Sequence, residues 1–107
     1  MRNSLITPLL SLCMIIGACS PKTAILTGDE KAIFESRLQN GKMVFAENCQ
    51  KCHPDGQAKK GPDIRSKSGM AIRIQVRHGF GDMPKFKKDQ ISTQELKDLV
   101  VYVKDLE

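Results

Sequence analysis

The chemistry of this 107-residue chain is concentrated in one run, Cys49-Gln50-Lys51-Cys52-His53. Two thiols at this spacing can reach the two vinyl groups on one edge of a porphyrin and form thioethers. The imidazole that follows can then swing beneath the ring and ligate its iron. On that ground CxxCH reads as a c-type haem attachment site, with Cys49 and Cys52 as the bonded thiols and His53 as an iron ligand. A structural zinc site would need a second Cys or His pair, and outside the run His78 is the one remaining histidine. A thioredoxin-type CxxC sits in a βαβ pattern, and no strand-like run precedes this one.

The other two cysteines lie near the start of the chain. Four cysteines suggest two disulfides, but their placement argues otherwise. Cys13 falls inside the apolar stretch Leu5 to Ala18, which follows Met1-Arg2-Asn3 in the layout of a secretory signal. That stretch is about 14 residues, short of the roughly 20 that span a bilayer. Ile16-Gly17-Ala18-Cys19 resembles the bacterial lipobox, in which small residues suit a narrow peptidase cleft and the Cys thiol takes the lipid. The plainer alternative is a cysteine that happens to end an ordinary signal. A diacylglyceryl group plus an acylated amine on Cys19 would supply more than one acyl chain, enough for stable anchoring. The expected organisation is a cleaved lipoprotein signal over 1–18, a lipidated Cys and tether over 19–30, and a haem domain over 31–107. The expected location is the cell envelope, lipid-anchored and facing the periplasm. Ser20, not Asp, after the Cys favours the outer membrane. An oxidising envelope also disfavours bare zinc thiolates.

The elements that must position Cys49 to His53 read as helices. Asp29 is a candidate cap for a short helix over Glu30 to Leu38. Asn40 is the expected N-cap of a second helix from Gly41 to Asn48, with Met43, Val44 and Phe45 as its apolar members. Pro54, Gly56, Gly61 and Pro62 break the following stretch into loop. Met70, Ile72, Ile74 and Val76 mix helical and strand periods in a run that ends at His78-Gly79, and a helix is expected there. Gly79 to Asp89 reads as loop. Ser92-Thr93-Gln94-Glu95 is a capping box, after which Leu96, Leu99, Val100, Val103 and Leu106 keep helical spacing. No strand pair is evident.

Size and charge set the remaining bounds. Loss of 18 of the 107 residues with the signal leaves 89, with five aromatics and no Trp. An unaided core is marginal at that size, so something besides side chains is expected to fill the middle. The net charge of +5 comes from basic residues scattered among acids, with few aromatics to stack bases. Nucleic-acid binding is therefore a poor reading.

The segment from Gly41 to Leu106 resembles the small bacterial class I monohaem cytochromes c. The resemblance is carried by Cys49 to His53, by Gly61-Pro62-Asp63-Ile64, by Gly81-Asp82-Met83-Pro84-Lys85-Phe86, and by the Leu99-to-Tyr102 stretch of the last helix. It implies an all-α fold, three to five short helices wrapped around one covalently bound haem c. It also implies a close crossing of the first and last helices, Gly41 and Phe45 on one meeting Leu99 and Tyr102 on the other. Met83 would be the sixth iron ligand, and the Pro62 carbonyl would accept the imidazole N–H of His53. Met83 as core filler and His78 as ligand are the competing assignments. His78 otherwise suits the exposed carbonyls at a helix end.

Iron held by His and Met has no open position, and a Met ligand favours the ferrous state. The implied function is one-electron transfer between redox proteins, with no enzymatic turnover and no small-molecule substrate. Lys85, Lys87 and Lys88, with Lys59-Lys60, either steer an acidic partner or are ordinary solvated lysines. The runner-up is a fixed cytochrome subunit of an envelope oxidase or dehydrogenase complex. A haem sensor or weak peroxidase is a third reading and requires a labile Met83 bond. Cys19→Ser should release an intact, spectrally normal haem domain into the soluble fraction, which fractionation with a high-salt wash checks. Retention in the membrane would mean some other anchor.

Overall fold

Thr27 sets where the chain becomes helical. Its hydroxyl accepts from the Glu30 backbone N–H, and the Glu30 carboxylate accepts from the Thr27 N–H at 3.0 Å, a complete capping box. The computed structural model describes residues 27–107. Helix α1 runs Gly28–Asn48, a 3-10 turn covers Pro54–Gly56, α2 runs Gly69–His78 and α3 runs Thr93–Asp105. The described residues contain no strand, as the all-α expectation requires. Cys19 and the signal lie outside them. Helix α1 begins three residues inside the stretch expected to be tether.

The break expected at Asn40 does not exist. Helix α1 is continuous for 21 residues and is capped by Thr27, not by Asp29. Asn40 is a good cap by local preference, but its side chain has a better partner across the fold. Its Nδ2 donates to Asp98 Oδ2 at 2.9 Å. The other two helices start as expected. Ser68 caps α2 by accepting from the Ala71 N–H at 3.1 Å, and Gly79 ends it in the left-handed region at φ 61°. The mixed period of the Met70–Val76 run resolves as a helix with Ile72 and Val76 buried and Met70 and Ile74 outside. Ser92 and Glu95 form the expected capping box on α3, whose Leu96, Leu99, Val100 and Val103 are buried.

Helices α1 and α3 pack backbone against backbone. A methyl group placed on Gly41 would sit 2.0 Å from the Asp98 carbonyl oxygen and 2.9 Å from Tyr102 Cβ, so no larger residue fits. A glycine inside a helix costs about 1 kcal/mol in propensity, and this contact is what that cost permits. Beside it, the Phe45 and Tyr102 rings meet at 5.3 Å with planes 56° apart. Around the crossing Val44, Phe45, Ile72, Val76, Ile91, Leu96, Leu99, Val100 and Val103 form one buried cluster.

Asp98 fastens the same crossing with charge. The carboxylate is almost wholly buried and accepts from Arg37 Nε at 2.8 Å, Asn40 Nδ2 at 2.9 Å and Gln94 Nε2 at 2.9 Å. Burial alone pushes its pKa up. The hydrogen bonds from Arg37, Asn40 and Gln94 and the Arg37 charge outweigh that push, and the pKa lies below the usual carboxylate range. A depressed carboxylate pKa stabilises the fold above its unfolded value of about 3.9, and the contribution disappears as pH falls through the lower folded value. Asp98→Asn should therefore lower stability by about 3 kcal/mol at neutral pH, with the deficit shrinking as pH falls below about 4. Gly41→Ala should cost at least about 1–3 kcal/mol at every pH, since it forces the backbones apart. Denaturant titrations at neutral and acid pH separate the two effects.

Candidate haem-attachment site

The end of α1 delivers the CxxCH run to the core. Cys49 caps the helix with its N–H on the Phe45 carbonyl at 2.8 Å, and its side chain is buried. Cys52 and His53 both return their N–H groups to the Cys49 carbonyl, at 3.1 and 2.9 Å. One tight turn thus carries both thiols and the imidazole. Burial, with a smaller contribution from the neighbouring Cys52, pushes the Cys49 pKa up to about 12, so this thiol stays uncharged at neutral pH.

His53 is buried and held from two directions. Its Nδ1 lies 2.8 Å from the Pro62 carbonyl oxygen. A carbonyl can only accept, so Nδ1 carries the proton and Nε2 keeps its lone pair. On the other side is Gly61, where an added methyl would stand 2.2 Å from Cε1 and 2.8 Å from Nε2 of the ring. Gly61 is itself tied to the motif, its N–H donating to the Cys52 carbonyl at 3.1 Å. Between these points the chain turns sharply. Asp55 adopts φ 51°, unusual for a side-chain-bearing residue, and Gln50 secures it by accepting from the Asp55 N–H at 3.1 Å and donating to its carboxylate at 3.3 Å.

Met83 lies in the loop between α2 and α3, partly buried against the hydrophobic cluster. The other described methionines, Met43 and Met70, are 59% and 69% exposed on helix surfaces. His78 is exposed in the last turn of α2 and stacks on Phe80, ring centres 5.6 Å apart. Lys59, Lys60, Lys85, Lys87 and Lys88 are all exposed. The donor set of this region suits a c-type haem: two thiols at attachment spacing, an imidazole with its second nitrogen free of hydrogen bonds among the described residues, and a thioether held against the core.

The family model described as cytochrome C oxidase, cbb3-type, subunit III matches residues 36–103. The chain belongs to the small class I cytochromes c. The cytochrome is 32% identical over 100 residues to cytochrome c6 of Thermosynechococcus vestitus, a match covering 84% of this chain and 88% of that one. It is 36% identical over 78 residues to cytochrome c6 of Synechocystis, covering 64% of each. No solved structure matches it at the same stringency. Family membership makes the cytochrome a haem-based electron carrier with one covalently bound haem c, and not an enzyme.

Two features of the site had no clear signal in the sequence. The Gln50–Asp55 pair uses one of the two free positions of CxxCH, which the motif leaves unspecified. The contact of Gly61 with the imidazole was hidden, because a Gly-Pro pair reads equally well as an ordinary turn. Gly61→Ala should drive a methyl into the His53 ring, stretch its bond to Pro62 and cost the haem-loaded protein about 1–3 kcal/mol. A denaturant midpoint equal to that of the wild type would contradict the contact.

Proposed function

We propose that the cytochrome is a lipid-anchored one-electron carrier of the cell envelope, with His53 and Met83 as the axial ligands of its haem. The observation that carries the ligand assignment is the 2.8 Å contact between His53 Nδ1 and the Pro62 carbonyl. It selects the tautomer with Nε2 free for iron, limits ring rotation and raises the basicity of the ligand. Partial burial of Met83 against the core, with Met43 and Met70 exposed, supports Met83 on the opposite side. Bound to these residues, haem c supplies a one-electron Fe(III)/Fe(II) couple. The residues themselves neither move a proton nor bind a substrate. His53 and Met83 would hold the iron and leave no position for a small ligand, with the buried cluster keeping its surroundings apolar.

The lipid anchor at Cys19 would hold this domain within reach of membrane-bound donors and acceptors while leaving it free to rotate. Lys59 and Lys60 before the Gly61 turn, and Lys85, Lys87 and Lys88 after Met83, place positive charge on the two loops that flank the site. That favours redox partners with acidic docking surfaces, at rates that fall with ionic strength. A second reading, a fixed subunit of an envelope oxidase or dehydrogenase complex, is favoured by the match to the cbb3-type oxidase subunit III family and by the exposed Ile33 and Phe34 of α1. Co-purification of the anchored protein at fixed stoichiometry with an oxidase would select it.

Met83→Ala and His78→Ala test the ligand assignment. Met83→Ala should abolish the sulfur-to-iron charge-transfer band at the red end of the oxidised spectrum and admit carbon monoxide to the reduced protein. Its potential should fall by on the order of 100 mV, within the roughly 0.8 V that axial ligands span. His78→Ala should leave all three unchanged and cost at most about 0.3–1 kcal/mol of helix-end stability. The reverse pattern would make this a bis-histidine cytochrome of lower potential.

A further inference from the structure

Arg77 is a residue of α2 bonded to the chain on the far side of Met83. It lies in the last helical turn and is half-buried. Its Nη1 donates to two carbonyls, Phe86 at 3.1 Å and Ile91 at 2.7 Å. Both acceptors lie beyond Met83, three and eight residues along the chain. The Phe86 N–H returns to the Val76 carbonyl at 2.8 Å, so Phe86 is bound to α2 through both of its backbone polar groups. The outgoing leg is held as well, by Gln75 Nε2 donating to the Phe80 carbonyl at 2.9 Å. At the base, Gly79 touches the returning chain so closely that a methyl there would lie 2.4 Å from the Lys85 nitrogen.

The last turn of α2 therefore closes the Met83 loop at its base, and most of the closure on the returning leg passes through one guanidinium. Ile91 is fully buried in the core cluster and does not move independently of it. The loop tip between Gly81 and Lys85 makes no hydrogen bond to the rest of the fold among the described residues except through these anchors. A thioether is a weak ligand, and its sulfur stays on the iron only if the loop entropy of leaving is limited.

We propose that Arg77 is a positioning residue for Met83: by clasping the Phe86 and Ile91 carbonyls it holds the loop in the conformation that keeps the sulfur on the haem iron. This rests on Met83 being the sixth ligand. Loss of the clasp frees the returning leg, and the population with an open iron position rises. Arg77 acts on the iron–sulfur bond through the loop that carries Met83. Lysine is a poorer substitute, because its flexible stem does not fix the ammonium where the planar guanidinium holds Nη1 between the two carbonyls.

The test uses the haem-loaded protein with Arg77→Met and Arg77→Lys. The measurements are the carbon monoxide-bound fraction of reduced protein at a fixed gas concentration, the sulfur-to-iron band of oxidised protein, and the denaturant midpoint. Arg77→Met should raise the bound fraction at least tenfold and weaken the band, and Arg77→Lys should fall between it and the wild type. A purely structural role would lower the midpoint and leave ligand access unchanged, and that result overturns the proposal. If Arg77→Met yields no loaded protein, Arg77→Lys decides: increased carbon monoxide binding supports the clasp and wild-type resistance overturns it. A wild type that lacks the band and binds carbon monoxide readily would instead refute Met83 ligation itself.

Discussion

The contact between Gly41 and the backbone of Asp98 constrains everything else in the domain. With no Cβ in the way, α1 and α3 meet at backbone distance, and each helix then has one place to put its far end. For α1 that end is Cys49, which is carried into the buried cluster together with the turn that bears Cys52 and His53. For α3 the buried side chains Leu96, Leu99, Val100 and Val103 form the surface on which Ile72 and Val76 of α2 rest. The Asp98 cluster makes the crossing specific as well as close, because a slip of one turn would leave a buried carboxylate without Arg37 and Asn40.

Two different kinds of support flank His53 and Met83. On the His53 side the chain is held by local bonds over short separations: Gln50 to Asp55, Cys52 to Gly61, His53 to Pro62, Gly56 to Ile64. Such a set leaves the imidazole little freedom. On the Met83 side the hydrogen bonds among the described residues lie at the base of the loop, at the end of α2, and the loop otherwise rests on the core through Met83 and Phe86. His53 is thus held more firmly than Met83, and if both bind the haem iron the pair would be one firm ligand and one adjustable ligand.

Sequence reading succeeded where a feature is a local pattern. The CxxCH run, the capping box at Ser92 and the 3.6-residue spacing of α3 are decided within a few residues, and the fold agrees with each. The close pairing of Gly41 and Phe45 with Leu99 and Tyr102 was legible through resemblance to a family, because no local signal distinguishes a packing glycine from a helix-start glycine. Asn40 misled for the opposite reason. Its cap preference is real, but a partner 58 residues away outcompetes it and α1 continues through. Asp98, Arg77 and the Gln50–Asp55 pair were illegible, since each is an ordinary polar residue until the chain has folded around it.

The functional account reduces to one coordination claim, that a sulfur from the loop after α2 completes the iron opposite His53. Proton NMR of the reduced, haem-loaded protein addresses it most directly, because the haem ring current acts strongly on any methyl group held over the iron. The account predicts one three-proton resonance far upfield of all others, which disappears when Met83 alone is deuterated at its methyl group and persists when Met43 or Met70 is. Absence of an upfield methyl, or its assignment to another methionine, would contradict the account.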